Sequence, residues 1–222
     1  MMRFFAQKRE GNYFILSKET LAHIKVARVE KENFICIYNE KFYECVLHND
    51  LALIIKEIEE NHEFQGEVAI ACAIINTKRF EWMIQKATEL GATRLIPLLT
   101  ERVEQKLGED LIKKVERWNE IAKNAAEQSF RNKPMQVDFP VKFEKVFENF
   151  YKFRYIAHEK VEYKINNTFF PQDSIFLIGP EGGFTDKEVQ LALDNDYQLI
   201  SLGKRILRSE TAPLFILSRI EE

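Results

Sequence analysis

The sequence has few of the residues that mark specialised protein classes. Its 222 residues include only three cysteines, Cys36, Cys45 and Cys72, without CxxC spacing, so we expect reduced core thiols and no metal site. The longest apolar run, Val68–Ile75, is far shorter than the ~20 residues of a membrane span, so no membrane partner is expected. No long apolar segment follows a basic start at the N-terminus. A secretory signal is therefore not expected, and the protein is predicted to be cytoplasmic.

Charge of either sign is not in large excess. The chain carries 32 Lys and Arg against 35 Asp and Glu, a net charge of −3, which argues against indiscriminate nucleic-acid binding through bulk electrostatics. Residues 78–133 hold 12 basic and 9 acidic residues, whereas residues 1–66 hold 9 and 11. The central region is a candidate RNA-facing surface, but a solvated helix face of mixed charge has the same composition.

Glycine is scarce as well, and its distribution is informative. Four of the eight glycines lie in two C-terminal runs, IGPEGGFT at Ile178–Thr185 and LGKRILRSETA at Leu202–Ala212. Each run follows an apolar, strand-like segment, and open α/β sheets bind ligands at the carboxyl ends of their strands. Glycine is used where the chain turns tightly or approaches a ligand closely. The two runs therefore predict one pocket, lined largely by backbone.

Both runs carry further signals. Thr185 and Glu188 have capping-box spacing at the start of a predicted helix. In the second run three cations, Lys204, Arg205 and Arg208, accompany Glu210, which is more charge than a turn requires. There are two alternatives to a pocket formed by both runs: a glycine-rich connector that only turns the chain, and an anion-binding site at the start of the helix. The first run lacks the GKS or GKT ending of a P-loop, which disfavours a phosphate-handling enzyme.

The hydrophobic pattern changes near Gly66. Before it, short segments with β-branched and aromatic residues predict strands and a small barrel-like domain: Tyr13–Leu16, Ile24–Val29, Phe34–Tyr38 and Phe42–Leu47. Leu51–Glu60 fits a strand or a helix equally well. After Gly66, strands alternate with helices, which predicts a covered parallel sheet. The predicted strands are Val68–Ile75, Arg94–Leu99, Phe153–Ala157, Ile175–Ile178 and Tyr197–Leu202. Of the four predicted helices, the first ends near Gly91, the second covers Asp110–Gln128, the third follows Thr185 and the fourth follows Pro213.

The two C-terminal runs resemble those of the RsmE family of ribosomal RNA methyltransferases, which belongs to the SPOUT superfamily. Lys78–Arg102, KRFEWMIQKATELGATRLIPLLTER, and Ala125–Arg131, AAEQSFR, are similar to further family segments, and the resemblance covers the whole chain. Two departures stand out. Phe130 occupies a position where the family usually has a small residue, and Glu32-Asn33 replaces a common Gly-Asp pair.

The resemblance implies a fold and an activity. It implies a small PUA-like β-barrel for RNA binding in residues 1–66 and a SPOUT methyltransferase domain with a C-terminal trefoil knot in residues 67–222. It further implies a homodimer through the knot region, S-adenosylmethionine (SAM) as methyl donor without a metal, and N3 of one uridine in 16S ribosomal RNA of the small subunit as acceptor. The alternatives are a non-catalytic RNA-binding assembly factor with the same fold and a SPOUT methyltransferase for another RNA base.

Site residues follow by position within the matching motifs. We expect cofactor binding by Gly179, Pro180, Glu181, Leu202, Gly203, Ile206, Leu207, Thr211 and Ala212. Arg208, and secondarily Arg205, would stabilise negative charge on the uracil, while Glu210 would orient an arginine, accept the N3 proton or simply favour the start of a helix. Arg28, Arg102 and Arg131 are candidate RNA contacts, and for Arg102 and Arg131 a tie between the two domains is the alternative. His158 is predicted to be a core or rim histidine, with a place in the pocket wall as the alternative, and Trp82 and Trp118 are predicted to pack in the core.

Overall fold

The computed structural model describes residues 1–103, 108, 110–159 and 169–221. The chain forms two compact units. The first consists of Met1–Glu63 and Lys123–Pro134, and the second of Phe64–Ala122 and Met135–Glu222. The first unit therefore includes a segment from the middle of the chain in addition to the N-terminal residues.

The first unit is built on a six-stranded mixed sheet. Its strands pair in the order β1-β4-β5-β6-β3-β2, and β1 and β4 are parallel. The two edge strands, β1 and β2, are joined by only two residues, so the sheet must curl until its edges are close together. This agrees with the predicted small barrel. The strands are β1 Arg3–Phe5, β2 Lys8–Glu10, β3 Tyr13–Ile15, β4 Phe34–Tyr38, β5 Lys41–His48 and β6 Leu51–Ile58. The segment Leu51–Glu60, which fitted a strand or a helix equally well, therefore forms a strand.

One predicted strand of this unit is wrong. Ile24–Val29 was expected to be extended, but its first residues lie in helix α1, Lys18–Val26. The Ser17 side chain accepts a hydrogen bond from the Thr20 amide and caps the helix. Thr20 and Ile24, spaced four residues apart, form its buried side, whereas Val26 is 82 % exposed. The cap and this spacing were the sequence signals for a helix.

The mid-chain segment is attached to the first unit by a buried ion pair. Arg131 and Glu63 side chains are only 3 % and 5 % exposed and contact each other directly. The Glu63 carboxylate also accepts hydrogen bonds from the Asn132 and Lys133 amides. Next to them, Phe130 has a left-handed backbone with φ 60°, and its ring stacks on Phe42 at 4.8 Å. The charge pair and the ring stack hold this turn in a conformation that a large side chain rarely adopts.

The second unit is an α/β sheet whose strand pairs are all parallel. The strands pair in the order β10-β8-β7-β12-β11-β13, and β9 pairs with β8. They are β7 Val68–Ala73, β8 Arg94–Leu99, β9 Gln136–Val137, β10 Val141–Lys142, β11 Phe153–Ala157, β12 Ser174–Ile178 and β13 Gln198–Ile200. The helices are α2 Thr77–Glu89, α3 Leu111–Gln128, α4 Asp186–Asp194 and α5 Ala212–Leu217, with a 3-10 helix at Phe143–Glu148.

The predicted alternation of strands and helices in this unit is confirmed. Central strand β7 is fully buried, as its unbroken apolar sequence indicated. Gly91 has φ 90° just past the end of α2, where a left-handed residue stops a helix. Trp118 is buried as predicted, whereas the core placement of Trp82 is wrong because its side chain is 45 % exposed. No helix in the described part of the chain is both long and apolar enough to cross a membrane.

Replacing Arg131 with Met should destabilise the first unit by about 3–5 kcal/mol, because Glu63 would keep its burial and lose its countercharge. Chemical denaturation followed by circular dichroism measures this change. The double variant Arg131→Met/Glu63→Gln should recover much of the loss, since neither charge then remains buried and the oxygen of the new side-chain amide still accepts from the Asn132 and Lys133 amides. Equal destabilisation by the single and double variants would contradict this account of the ion pair.

Candidate active site

Three loops meet at one edge of the parallel sheet of the second unit. Strand β11 lies between β12 and β13, with Ile156 beside Leu177 on one side and beside Leu199 on the other. Because the three strands are parallel, the loops that follow them leave from the same edge. These are the loops after Ala157, Ile178 and Ile200. The sequence predicted the pocket at the last two of these loops.

A cavity of about 200 Å³ opens among these loops. It is several times larger than the ~30 Å³ share of one water molecule, so it suits a small organic ligand better than an isolated water. Its apolar and main-chain wall is formed by Ala157, Ile178, Gly179, Pro180, Gly183, Phe184, Leu202, Gly203, Ile206, Leu207 and Ala212. Its polar and charged wall is formed by Arg102, His158, Glu159, Asp186, Ser201, Lys204, Arg205 and Ser209.

The loop after β12 is a tight turn that its own hydrogen bonds hold in place. The Gly183 amide donates to the Pro180 carbonyl at 2.9 Å. A Cβ atom on Gly179 would lie 3.2 Å from the Phe184 nitrogen and 3.3 Å from the Gly183 carbonyl carbon, which is closer than ordinary packing. At Gly182 the nearest atoms would be 3.5 Å away and belong to the Arg102 side chain. Only Gly179 is thus required by close approach of backbone to backbone.

Helix α4 begins directly after this loop with the predicted capping box. The Thr185 hydroxyl accepts from the Glu188 amide at 3.3 Å, and Glu188 accepts from the Thr185 amide at 2.8 Å. The same buried carboxylate accepts from the Glu101 amide at 2.8 Å. Since a carboxylate already occupies the helix start, an anionic ligand there would meet repulsion. This geometry disfavours the anion-site alternative.

Arg102, three residues after the end of β8, forms hydrogen bonds with the loop after β12, which we call the glycine loop. Its Nη1 donates to the Gly182 carbonyl at 2.7 Å and to the Phe184 carbonyl at 3.4 Å. The side chain also forms part of the cavity wall. These contacts support a role for Arg102 in holding the cavity wall, whereas the sequence predicted an RNA contact or a tie between domains.

The loop after β13 changes direction at Gly203 and closes with a turn at Arg208. Gly203 has φ 120°, and a Cβ there would find no atom within 4 Å, so backbone conformation rather than space requires glycine. The Arg208 carbonyl accepts from the Thr211 amide at 2.8 Å and from the Ala212 amide at 3.0 Å. This turn leads into α5, with Pro213 in the first turn of the helix.

A charged cluster lies beside these two loops. The Glu210 side chain is only 9 % exposed, and its Oε1 lies 3.9 Å from Arg208 Nη1 and 3.8 Å from Arg79 Nε. Its Oε2 is buried without a hydrogen-bond partner. Burial, followed by the nearby Glu181 and Glu210 carboxylates, raises the pKa of the Cys72 thiol. Cys72 is thus a neutral core thiol, not a nucleophile.

Comparison with known proteins identifies the family of this fold and site. A family model described as an RNA methyltransferase domain matches residues 62–221. A protein of Mesomycoplasma hyopneumoniae named ribosomal RNA small subunit methyltransferase E is 44 % identical, over 99 % of this chain and 98 % of its own length. The chain belongs to the RsmE family. The Bacillus subtilis protein of the same name is 36 % identical over 99 % of this chain and 96 % of its own.

The structure of an RsmE family member from Neisseria gonorrhoeae, solved bound to S-adenosyl methionine, is also similar. It superposes with a TM-score of 0.88 at 27 % identity, covering 98 % of this chain and 95 % of that chain. The second unit therefore has the SPOUT-type α/β fold that the resemblance implied, preceded by the small β unit. No cluster of His, Cys, Asp or Glu in the described residues could hold a metal ion.

The residues predicted from the RsmE motifs divide into three groups. Most of the predicted cofactor residues, together with Arg205, line the cavity: Gly179, Pro180, Leu202, Gly203, Ile206, Leu207 and Ala212. Four others are not among the lining residues: Glu181, Arg208, Glu210 and Thr211. Of the candidate RNA contacts, Arg28 is exposed, Arg102 supports the glycine loop and Arg131 is buried in its pair with Glu63.

Sequence reasoning missed several cavity residues. Ser209 lies within the second C-terminal run and Asp186 directly follows the first, but nothing in the type of either residue marks it as part of the cavity wall. Glu159 and His158 follow β11, a strand end with no glycine to mark it. His158 had been considered as a pocket residue, and it does line the cavity. Its position after a predicted strand was the available signal.

The two glycines of the first loop provide a matched test. Gly179→Ala should destabilise the second unit by about 1–3 kcal/mol because the new methyl group crowds backbone atoms that cannot move independently. Gly182→Ala should change stability by less than about 0.5 kcal/mol, since it meets only a side chain at contact distance. Denaturant titration of both variants measures the difference. Equal effects would contradict the assigned packing of Gly179.

Proposed function

We propose that this protein transfers a methyl group from SAM to N3 of a uridine in 16S ribosomal RNA of the small subunit. The observation that carries the proposal is the cavity formed by the loops after β11, β12 and β13, in a chain of the RsmE family. Its relatives are named as small-subunit ribosomal RNA methyltransferases. A related structure holds SAM.

The cavity suits SAM on chemical grounds. Its apolar wall, including Ile178, Leu202 and Leu207, fits an aromatic base, and main-chain groups near Gly179 and Gly203 would hold the edge of that base. The remaining wall carries both signs of charge, with Arg102 opposite in sign to Asp186 and Glu159. Such a surface matches the zwitterionic amino-acid end of the cofactor. When bound, SAM supplies an electrophilic methyl group.

The charged groups beside the cavity perform the remaining chemistry. N3 of uracil carries a proton, which a base must remove before nitrogen can accept a methyl group. We assign that role to Glu210 because its carboxylate lies beside Arg208 and its Oε2 has no hydrogen-bond partner. Arg208, 71 % exposed and 3.9 Å from Glu210, stabilises the charge that develops on the uracil carbonyls. Arg205, on the cavity wall, is the second cation.

We assign different roles to the two units. The first unit binds RNA and includes the exposed Arg28, while the second carries the methyl-transfer site. Phosphate contacts position such a substrate, and the target uridine must be unpaired or flipped out to expose N3. We further propose that the protein acts in the cytoplasm as a homodimer through the knot region. Sedimentation equilibrium, with a mass twice that of one chain, tests the dimer.

The cofactor site is tested by calorimetric titration of SAM. The wild-type protein should bind one SAM per chain, and Gly203→Val should lose at least about tenfold in affinity, or ~1.4 kcal/mol, because a β-branched residue cannot keep φ near 120°. Gly11→Val is the matched control, since Gly11 also has a positive φ with open space around it but belongs to the first unit. Normal SAM binding by Gly203→Val would refute the pocket location.

The reaction is tested by mass-spectrometric mapping of small-subunit RNA from cells that lack this protein. One N3-methyluridine should disappear and return with the wild-type gene. Arg208→Ala should restore little of it, because loss of one charge-stabilising group slows such reactions by ~10²–10³-fold. Lys187→Ala, an exposed change on α4, is the control and should restore it fully.

Other outcomes identify the alternatives. A different lost modification would indicate another target base. RNA binding without SAM binding and without any lost modification would indicate a non-catalytic assembly factor.

A further inference from the structure

An arginine outside both C-terminal motifs lies between them. Arg79 is the third residue of α2, and its side chain is 47 % exposed. Its Nη1 lies 3.8 Å from Glu181 Oε1, and its Nε lies 3.8 Å from Glu210 Oε1. Glu181 belongs to the loop after β12 and Glu210 to the loop after β13. One cation therefore faces a carboxylate from each of the two loops that form the cavity.

The position of Glu210 makes this cation important. An exposed ion pair contributes little because water screens it, but Glu210 is 9 % exposed and has an unpartnered oxygen. A buried carboxylate without compensating charge is costly. Arg208 is the other cation within 4 Å in the described structure, and it is 71 % exposed. The backbone of Arg79 is held more firmly than that of Arg208, because it belongs to a 13-residue helix.

Glu181 and Glu210 are each next in sequence to a residue of the cavity wall. Pro180 lines the cavity and its neighbour Glu181 faces Arg79. Ser209 lines the cavity and its neighbour Glu210 faces Arg79. A backbone shift at Glu181 or Glu210 therefore displaces the neighbouring wall residue, because one peptide bond joins the two. The distance between the two walls depends on what holds the carboxylates together.

We propose that Arg79 is a positioning residue that sets the spacing of the two cofactor loops and the orientation of Glu210. This inference rests on the proposed function of the same site. The distances of 3.8 Å exceed the length of a hydrogen bond, so the interaction depends on charge and not on the shape of the guanidinium. A lysine at this position should therefore replace the arginine, which is not the case where bidentate geometry is needed.

The test compares three variants by SAM calorimetry and by steady-state methylation of small subunits. Arg79→Ala should weaken SAM binding about tenfold, equivalent to ~1.4 kcal/mol, and lower kcat, while the KM for RNA stays within about twofold of wild type. Arg79→Lys should restore both SAM affinity and kcat to within about threefold. Lys78→Ala removes the same charge from the adjacent exposed position and should change neither by more than about twofold.

Several results would overturn the proposal. Wild-type SAM affinity and kcat in Arg79→Ala, failure of Arg79→Lys to rescue, or an equal loss in Lys78→Ala would each do so. If the wild-type protein bound no SAM, the proposed function would fail instead. The positioning role would then be decided by a double-mutant cycle of unfolding free energies for Arg79→Ala and Glu181→Gln. Additive effects in that cycle would refute it.

Discussion

The candidate site depends above all on the parallel pairing of β11 with β12 and β13. This pairing gives three loops, separated along the chain by tens of residues, a common edge from which to leave the sheet. Gly179 and Gly203, which carry no side chain, lie in two of these loops and line the cavity. Its specificity is then a matter of backbone position, which a one-residue shift in strand register would destroy. The buried core of β12, where all five residues are inaccessible, fixes that register.

Buried carboxylates stabilise the loops and turns around this sheet in different ways. Glu188 receives three hydrogen bonds and closes the start of α4 against the β8 loop. Glu63 is neutralised by Arg131 and holds the turn at Phe130. Glu210 differs from both, because it has only ion contacts near 4 Å and one oxygen with no partner. Buried carboxylates whose oxygens all have partners stabilise the fold, whereas a buried carboxylate oxygen that lacks a partner marks a candidate site of chemistry.

Sequence patterns predicted the second unit well because its signals are local and strong. The unbroken apolar run of β7, the helical spacing in α2 and the Thr185 capping box each correspond to one physical requirement of the element they form. The prediction was wrong where a local pattern fits two structures. Ile24–Val29 is apolar enough for a strand, but the Ser17 cap and the burial of Thr20 and Ile24 favour a helix. The inclusion of Lys123–Pro134 in the first unit depends on long-range contacts that no local pattern contains.

The candidate site shows the same division. Glycines and family motifs predicted much of the apolar wall of the cavity, because Gly179 and Gly203 each meet a requirement of the local backbone. They did not predict Glu159 and Asp186 in the charged wall. Which side chains face inward was not predictable, because successive residues of a loop point in different directions. Leu207 and Ser209 line the cavity, whereas Arg208 and Glu210 do not. The same short loop therefore carries both cavity-lining residues and the charged pair Arg208 and Glu210, and only the folded backbone determines which residue belongs to which group.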